Sequence, residues 1–109
     1  MLQKIDIDKK VKNKVLNFAK LLEKSGIKAD KIILYGSHVK GKAADYSDID
    51  LCVVSSLFAR NSDYYFKKIW HLAAEIDTSL EPIPFTQQEL VDKYSTLSYE
   101  IRKYGVRII

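Results

Sequence analysis

The stretch KIILYGSHVKGKAADYSDIDLCVV, residues 31–54, decides the fold of this 109-residue chain. Its β-branched and aromatic run at 32–35 is short enough to predict a buried strand rather than a helix. Gly36 and Ser37 end that strand. Glycine lets the backbone turn sharply and approach a ligand closely, and a serine can offer its hydroxyl and nearby N–H groups to a phosphate. Residues 48–54, DIDLCVV, predict a second strand, so we expect two strands joined through a turn that can hold a phosphate.

Two aspartates, Asp48 and Asp50, open the second predicted strand. Because side chains alternate between the two faces of a strand, both carboxylates are expected on one face, roughly 6–7 Å apart. Carboxylates held this way repel each other unless a cation lies between them. Mg²⁺ prefers oxygen ligands and usually binds through one or two carboxylates plus substrate phosphates. The sequence therefore predicts a divalent metal site beside the phosphate turn.

The Gly36-Ser37 pair, ten intervening residues and the Asp48-x-Asp50 pair together resemble the signature of the DNA polymerase β-like nucleotidyltransferase superfamily. The chain is similar to the minimal nucleotidyltransferase (MNT) branch of that superfamily. The resemblance implies an α/β fold with a small mixed β-sheet, helices packed mainly on one face and the active-site carboxylates on the other. It also implies transfer of a nucleoside monophosphate, most simply AMP from ATP, to a hydroxyl acceptor. Asp48 and Asp50 would hold one or two Mg²⁺ ions, and Gly36 and Ser37 would bind the β- and γ-phosphates.

The superfamily pattern includes a third carboxylate, on the strand beside the Asp-x-Asp strand, which acts as a metal ligand or as a general base for the acceptor. Residues 80–85, LEPIPF, predict an edge strand because proline cannot donate to a sheet ladder. Glu81 is the charged residue of that strand, so by resemblance we assign it as a catalytic residue and metal ligand. Asp77, at the entrance to the strand, is the second choice.

Several polar residues near these motifs have two interpretations. Lys40 and Lys42 could neutralise triphosphate charge or face solvent, and His38 could contact a phosphate or lie at the surface. Ser47 could orient a carboxylate by a hydrogen bond. Arg60 lies in a loop that could reach the mouth of the site.

Amphipathic segments around the motifs predict helices that form the scaffold. The first begins at Asp8 and stops at Gly26, and a capping box at 86–89 starts a short third helix. The tail at 106–109 is expected to add a strand, pack on the core or contribute to a protein interface, including one between copies of the chain. The second helix, capped by Asn61, Ser62 or Asp63, is expected to run to about Ile76, with Phe66, Ile69, Trp70 and Ala73 buried and with Leu72 and Ile76 at the margin of the buried face. The last helix, ended by Gly105, is marked by Leu97, Ile101 and Tyr104.

Composition places the chain among ordinary soluble globular proteins, with 47% apolar and 29% charged residues. The length predicts a single domain over 1–109, without room for the acceptor-selecting domains of larger superfamily members, so the acceptor is expected in trans. The chain lacks an apolar run near ~20 residues and a signal-peptide core, which predicts a cytoplasmic protein. Its single cysteine, Cys52, is expected in the core. A net charge of +4 without a block of like charges gives no reason to expect direct nucleic-acid binding.

Proteins that resemble this chain are commonly encoded beside a helical HEPN-domain protein, and the pair acts as an antitoxin and a toxin ribonuclease. The resemblance therefore implies a HEPN-domain partner, which the chain would neutralise either by adenylylating a tyrosine or by binding alone. The second alternative is a non-catalytic nucleotide-binding module. A third, a small-molecule nucleotidyltransferase such as an antibiotic-modifying enzyme, is disfavoured by the short chain.

Overall fold

A computed structural model describes residues 7–41, 43–44 and 47–109. Within these ranges, the strands are β1 (Lys31–Tyr35), β2 (Ile49–Val54), β3 (Leu80–Phe85) and β4 (Val106–Arg107). They pair into one mixed sheet in the order β3-β2-β1-β4. Strand β2 is antiparallel to β1 and parallel to β3, and β4 is antiparallel to β1. The prediction of an α/β fold with a small mixed sheet is confirmed, including the edge strand and the strand added by the tail.

The same ranges contain four α-helices, at positions close to those that the sequence predicts. Asp8 caps the first by accepting a hydrogen bond from the N–H of Lys10 at 2.7 Å, and Thr86 and Glu89 form the expected capping box of the third. None of the helices in the described ranges is both long and apolar enough to cross a membrane. The helices are α1 (Lys9–Lys24), α2 (Ser62–Ile76), α3 (Gln87–Leu90) and α4 (Thr96–Tyr104).

Two long helices cover one face of the sheet, and two short helices cover part of the other face. Helices α1 and α2 pack on the first, over a core built around Phe18, Leu34 and Leu51. The opposite face has a smaller core under α3 and α4, which includes Cys52 and Ile101. The expectation that helices pack mainly on one face therefore holds for the two long helices, while the two short ones cover part of the other face. Cys52 is fully buried, as expected of a core residue.

The buried side of α2 differs from the prediction. Ile69 and Ala73 are fully buried, as expected, but Phe66 is 43% exposed and Trp70 is 40% exposed. Tyr65, Leu72 and Ile76 complete the buried side instead. The apolar periodicity of the sequence predicted one apolar stripe on α2. The helix has two adjoining apolar stripes, and the sheet covers only the one that contains Ile69 and Ala73. The rings of Phe66 and Trp70 stack on each other at the surface, with centroids 6.0 Å apart.

The buried side of α4 is narrower than expected. Ile101 is buried, while Leu97 is 38% exposed and Tyr104 is 47% exposed. Ser98 is buried instead, because its hydroxyl donates a hydrogen bond to the carbonyl of Glu89 at 2.7 Å. This bond ties α4 to α3 and places a polar residue where the sequence pattern predicted an apolar one.

Candidate active site

The Gly-Ser turn at the end of β1 folds into one turn of 3₁₀-helix, Gly36–His38. The N–H of Val39 donates to the carbonyl of Gly36, and the N–H of Lys40 donates to the carbonyl of Ser37, both at 3.2 Å. Gly36 has a φ of +80°, a conformation that favours glycine. A β-carbon at Gly36 would also overlap the carboxylate oxygen Oδ2 of Asp50. The turn therefore needs glycine for two reasons, and the second joins it directly to the aspartate motif.

Three residues form a row across the sheet at the end next to this turn. Tyr35 is the register partner of Asp50, and Asp50 is the register partner of Glu81. Register partners on neighbouring strands carry their side chains on the same face, with β-carbons about 4.5–5.5 Å apart. Glu81 thus lies beside Asp50, on the face that is not covered by α1 and α2.

Asp48 is placed slightly differently from the prediction. Strand β2 begins at Ile49, so Asp48 lies in the chain just before the strand, and its side chain is exposed. It remains a neighbour of the other two carboxylates. Burial is the largest cause of the raised pKa of Asp50 and of Glu81, and the negative charge of Asp48 adds to both. The structure therefore differs from the prediction only in the start of the strand, which was expected at Asp48 and begins at Ile49.

The electrostatics of the site are those of crowded carboxylates. Burial and then the charge of Asp48 raise the pKa of Asp50, while the nearby His38 lowers it. Burial raises the pKa of Glu81, followed by the effects of Asp48 and Asp50. Asp50 and Glu81 are therefore more costly to ionise than either would be alone. A cation bound among the three carboxylates would relieve this cost.

Three carboxylates supply the hard oxygen donors that Mg²⁺ prefers, so the donor chemistry fits that ion. The geometry is less complete. Within the described ranges, no three His, Cys, Asp or Glu side chains lie close enough to be ligands of one ion. Side-chain rotation would be needed for Asp48, Asp50 and Glu81 to share a metal.

Asp77, the second choice for the third carboxylate, is engaged elsewhere. Its carboxylate pairs with the ammonium of Lys14 at 2.8 Å and accepts a hydrogen bond from the N–H of Ser79, also at 2.8 Å. The bond from Lys14 and those from Ser79 hold the pKa of Asp77 well below its usual range. Asp77 thus links α1 to the start of β3, whereas Glu81 lies beside Asp50.

The other polar residues near the motifs have mainly structural contacts. Nε2 of His38 lies 3.2 Å from the carbonyl oxygen of Ser47, which links the turn to the chain that leads into Asp48. The hydroxyl of Ser47 accepts a hydrogen bond from the N–H of Ala44, so the expected bond to a carboxylate is not observed. Arg60 follows β2 along the chain, beyond the end of the strand opposite to Asp50. Lys42 lies outside the described residues.

Sequence reasoning missed Glu100, on α4. Its carboxylate pairs with the ammonium of Lys40, three residues beyond Ser37. Its charge also contributes to the raised pKa of Asp50 and of Tyr35, where burial is the largest cause in both cases. Glu100 is 50 residues away from Asp50 along the chain. No local pattern could therefore have connected the two.

A comparison with known protein families identifies the family of the chain. Residues 12–107 match the family model of the nucleotidyltransferase domain, so the chain belongs to the nucleotidyltransferase domain family. This confirms the resemblance drawn from the Gly36-Ser37 and Asp48-x-Asp50 motifs.

One solved structure with a similar fold is a chain from a crystal structure of a toxin–antitoxin with AMP-PNP. The two chains are 23% identical with a TM-score of 0.62, over 90% of this chain and 72% of the other. At that identity the likeness establishes the fold alone. A comparison with curated proteins finds no match.

Proposed function

We propose that this protein transfers a nucleoside monophosphate, AMP from ATP, to a hydroxyl on a partner protein, and that it acts in this way as an antitoxin. The single observation that carries the proposal is the contact of Gly36 with Asp50, with Glu81 in register beside them. It joins the glycine-serine turn to the neighbouring carboxylates in a chain of the nucleotidyltransferase domain family.

Gly36 and Ser37 are proposed to bind the β- and γ-phosphates, because the turn brings backbone and hydroxyl groups to the sheet end without an intervening side chain. Lys40 extends from the same turn and supplies a positive charge for them. Asp48, Asp50 and Glu81 are proposed to hold Mg²⁺. When bound there, Mg²⁺ would neutralise charge on the triphosphate and stabilise the attacking and leaving oxygens.

Glu81 has two alternative proposed roles, as a metal ligand or as the general base for the acceptor hydroxyl. Its place beside Asp50 on the neighbouring strand suits either role. Asp50 is half-buried and lies against Gly36. The chemistry then depends chiefly on positioning and charge neutralisation.

The proposed partner is a HEPN-domain toxin, and the proposed acceptor is a tyrosine of that protein. The similar fold of a chain solved in a toxin–antitoxin with AMP-PNP supports both an adenine nucleotide as ligand and a toxin as partner. The resemblance of the sequence to the MNT branch supports a HEPN-domain protein as that toxin.

The experiment is label transfer from α-labelled ATP with Mg²⁺, using the purified protein with and without the protein encoded by the neighbouring gene. Asp48→Asn should abolish transfer, because the amide cannot replace a carboxylate as a ligand for a divalent metal. Asp30→Asn is the matched control. Asp30 is an exposed aspartate whose N–H bonds to Val54 at the opposite end of the sheet, so this variant should transfer at the wild-type rate.

Label on the partner with the wild-type protein and Asp30→Asn, and none with Asp48→Asn, would support the proposal. Transfer by Asp48→Asn at the wild-type rate would contradict the assignment of the site. The thermal unfolding of each variant shows whether a loss of transfer reflects a loss of fold.

A non-catalytic module that binds nucleotide and neutralises its partner by binding is the second candidate. It rests on the same turn and carboxylates, which could bind a nucleotide without transferring part of it, and on the similar fold of a chain solved in a toxin–antitoxin with AMP-PNP. Tight binding of the partner without label transfer, with each of the common nucleoside triphosphates, would establish this candidate in place of the first.

A further inference from the structure

Lys40 connects the proposed phosphate turn to helix α4. Its N–H bonds to the carbonyl of Ser37 at 3.2 Å, so its backbone is part of the turn. Its side chain extends to α4, where the ammonium pairs with Oε1 of Glu100 and lies 5.8 Å from the centre of the Tyr104 ring. The side chains of Lys40 and Glu100 are 41% and 33% exposed, so an incoming ligand can reach both.

Glu100 adds a negative charge to a site that already has several. Its pair with Lys40 holds it beside the turn, and α4 packs on β1, the strand that ends at that turn. A polyphosphate that enters this end of the sheet would meet the repulsion of Glu100. It would also find the ammonium of Lys40 already paired. Both effects oppose polyphosphate binding.

We propose that Glu100 is a built-in competitor of the nucleotide: it holds the ammonium of Lys40 in the free protein and gives it up when a triphosphate binds. This inference rests on the proposed function, since it assumes that the turn binds the triphosphate. The pairing of Lys40 with Glu100 and the binding of a triphosphate then exclude each other. By thermodynamic linkage, a cationic group of a partner that paired with Glu100 would free Lys40 and tighten nucleotide binding.

The test is a calorimetric titration with two probes, inorganic tripolyphosphate and Mg²⁺-ATP, on the wild-type protein and on Glu100→Gln. An ion pair of this exposure corresponds to about a two- to five-fold change in affinity, so Glu100→Gln should bind both probes tighter by about that factor. Glu23→Gln is the matched control. It makes the same change in net charge near the end of α1, and should bind both probes as the wild type does.

Two further measurements separate competition from a general structural effect. Glu100→Gln should lower the melting temperature of the free protein, because the ion pair is lost, while it tightens binding. If Glu100 had a purely structural role, Glu100→Gln would lower both the melting temperature and the affinity for the two probes. On a Lys40→Met background, most of the gain from Glu100→Gln should disappear, because the charge for which the two groups compete is absent.

Unchanged or weaker binding of both probes by Glu100→Gln would overturn the competitor role and leave the proposed function in place. The same gain with and without Lys40 would also overturn it, since Glu100 would then act by repulsion alone. If the folded wild-type protein bound neither tripolyphosphate nor Mg²⁺-ATP, both the inference and the proposed function would be wrong.

Discussion

Replacing Gly36 by alanine tests the contact on which the site depends. The new methyl group would meet two obstacles. The backbone φ of +80° costs a residue with a β-carbon about 1–2 kcal/mol, and the β-carbon itself would overlap Oδ2 of Asp50. Asp50 would have to rotate away from the turn. We therefore expect Gly36→Ala to lose both stability and the geometry of the site.

Gly26 provides a matched control, because its φ is also +80° and a β-carbon added there would meet nothing within 4 Å. Gly26→Ala should cost about 1–2 kcal/mol, which is a fall of roughly 4–8 °C in melting temperature per kcal/mol in a domain of this size. Its nucleotide binding should remain that of the wild type. The difference between the two variants isolates the contact with Asp50 from the backbone strain.

The assay is label transfer measured below the melting temperature of both variants, together with thermal unfolding. A displaced carboxylate should lower the transfer rate of Gly36→Ala by about a hundredfold, the effect expected of a misplacement near 1 Å, while Gly26→Ala keeps its rate. Equal transfer rates in the two variants would show that the position of Asp50 against the turn is not needed for the chemistry.

Three other predictions concern stability and reactivity. Asp77→Asn should cost about 0.5–1 kcal/mol at pH 7, because the pair with Lys14 is partly exposed. Since Lys14 lowers the folded-state pKa of Asp77 below its ordinary value of 3.8, this difference should be full above about pH 5 and shrink progressively as the pH falls below 4; urea unfolding of both proteins from pH 7 to pH 2 checks it, and a difference that stays constant from pH 7 to pH 2 would contradict it. Ile69→Ala should destabilise by about 2–5 kcal/mol in urea unfolding and Trp70→Ala by much less, because only Ile69 is fully buried; equal losses would mean that Trp70 is packed. Burial raises the pKa of Cys52 to about 12, so the native thiol should resist a thiol reagent at pH 8 that labels it after unfolding; rapid native labelling would refute this.

The sequence alone was sufficient to predict the helices and strands and to locate the two main motifs, Gly36-Ser37 and Asp48-x-Asp50. Caps such as Asp8 and the Thr86–Glu89 box locate helix starts, because they satisfy backbone N–H groups by local side-chain bonds. The prolines of β3 indicated an edge strand, because proline lacks the N–H that an inner strand must donate. These signals depend on residues within a few positions of one another.

Burial of the helix faces could be predicted only in part. Ile69 and Phe66 are both apolar residues of α2, yet one is fully buried and the other is largely exposed. Periodicity reports that a helix has an apolar side. The rotation of the helix against the sheet decides which part of that side is covered, and that rotation is set by the packing of α2 on the sheet and against α1.

The candidate site also has features that local sequence predicts and features that only packing decides. Local sequence supplied Gly36, Ser37, Asp48 and Asp50, since a turn and an aspartate pair at a fixed spacing are visible without a structure. The tertiary structure decided that Glu81 is the register partner of Asp50 and that Asp77 bonds to Lys14 instead.

The tertiary structure also brings Glu100 into contact with Lys40, 60 residues away along the chain. Register between strands and the docking of α4 result from packing over the whole core, so no short stretch of sequence carries them. Sequence therefore determined which chemical groups the protein has at each turn and strand, and the tertiary structure determined which of them meet.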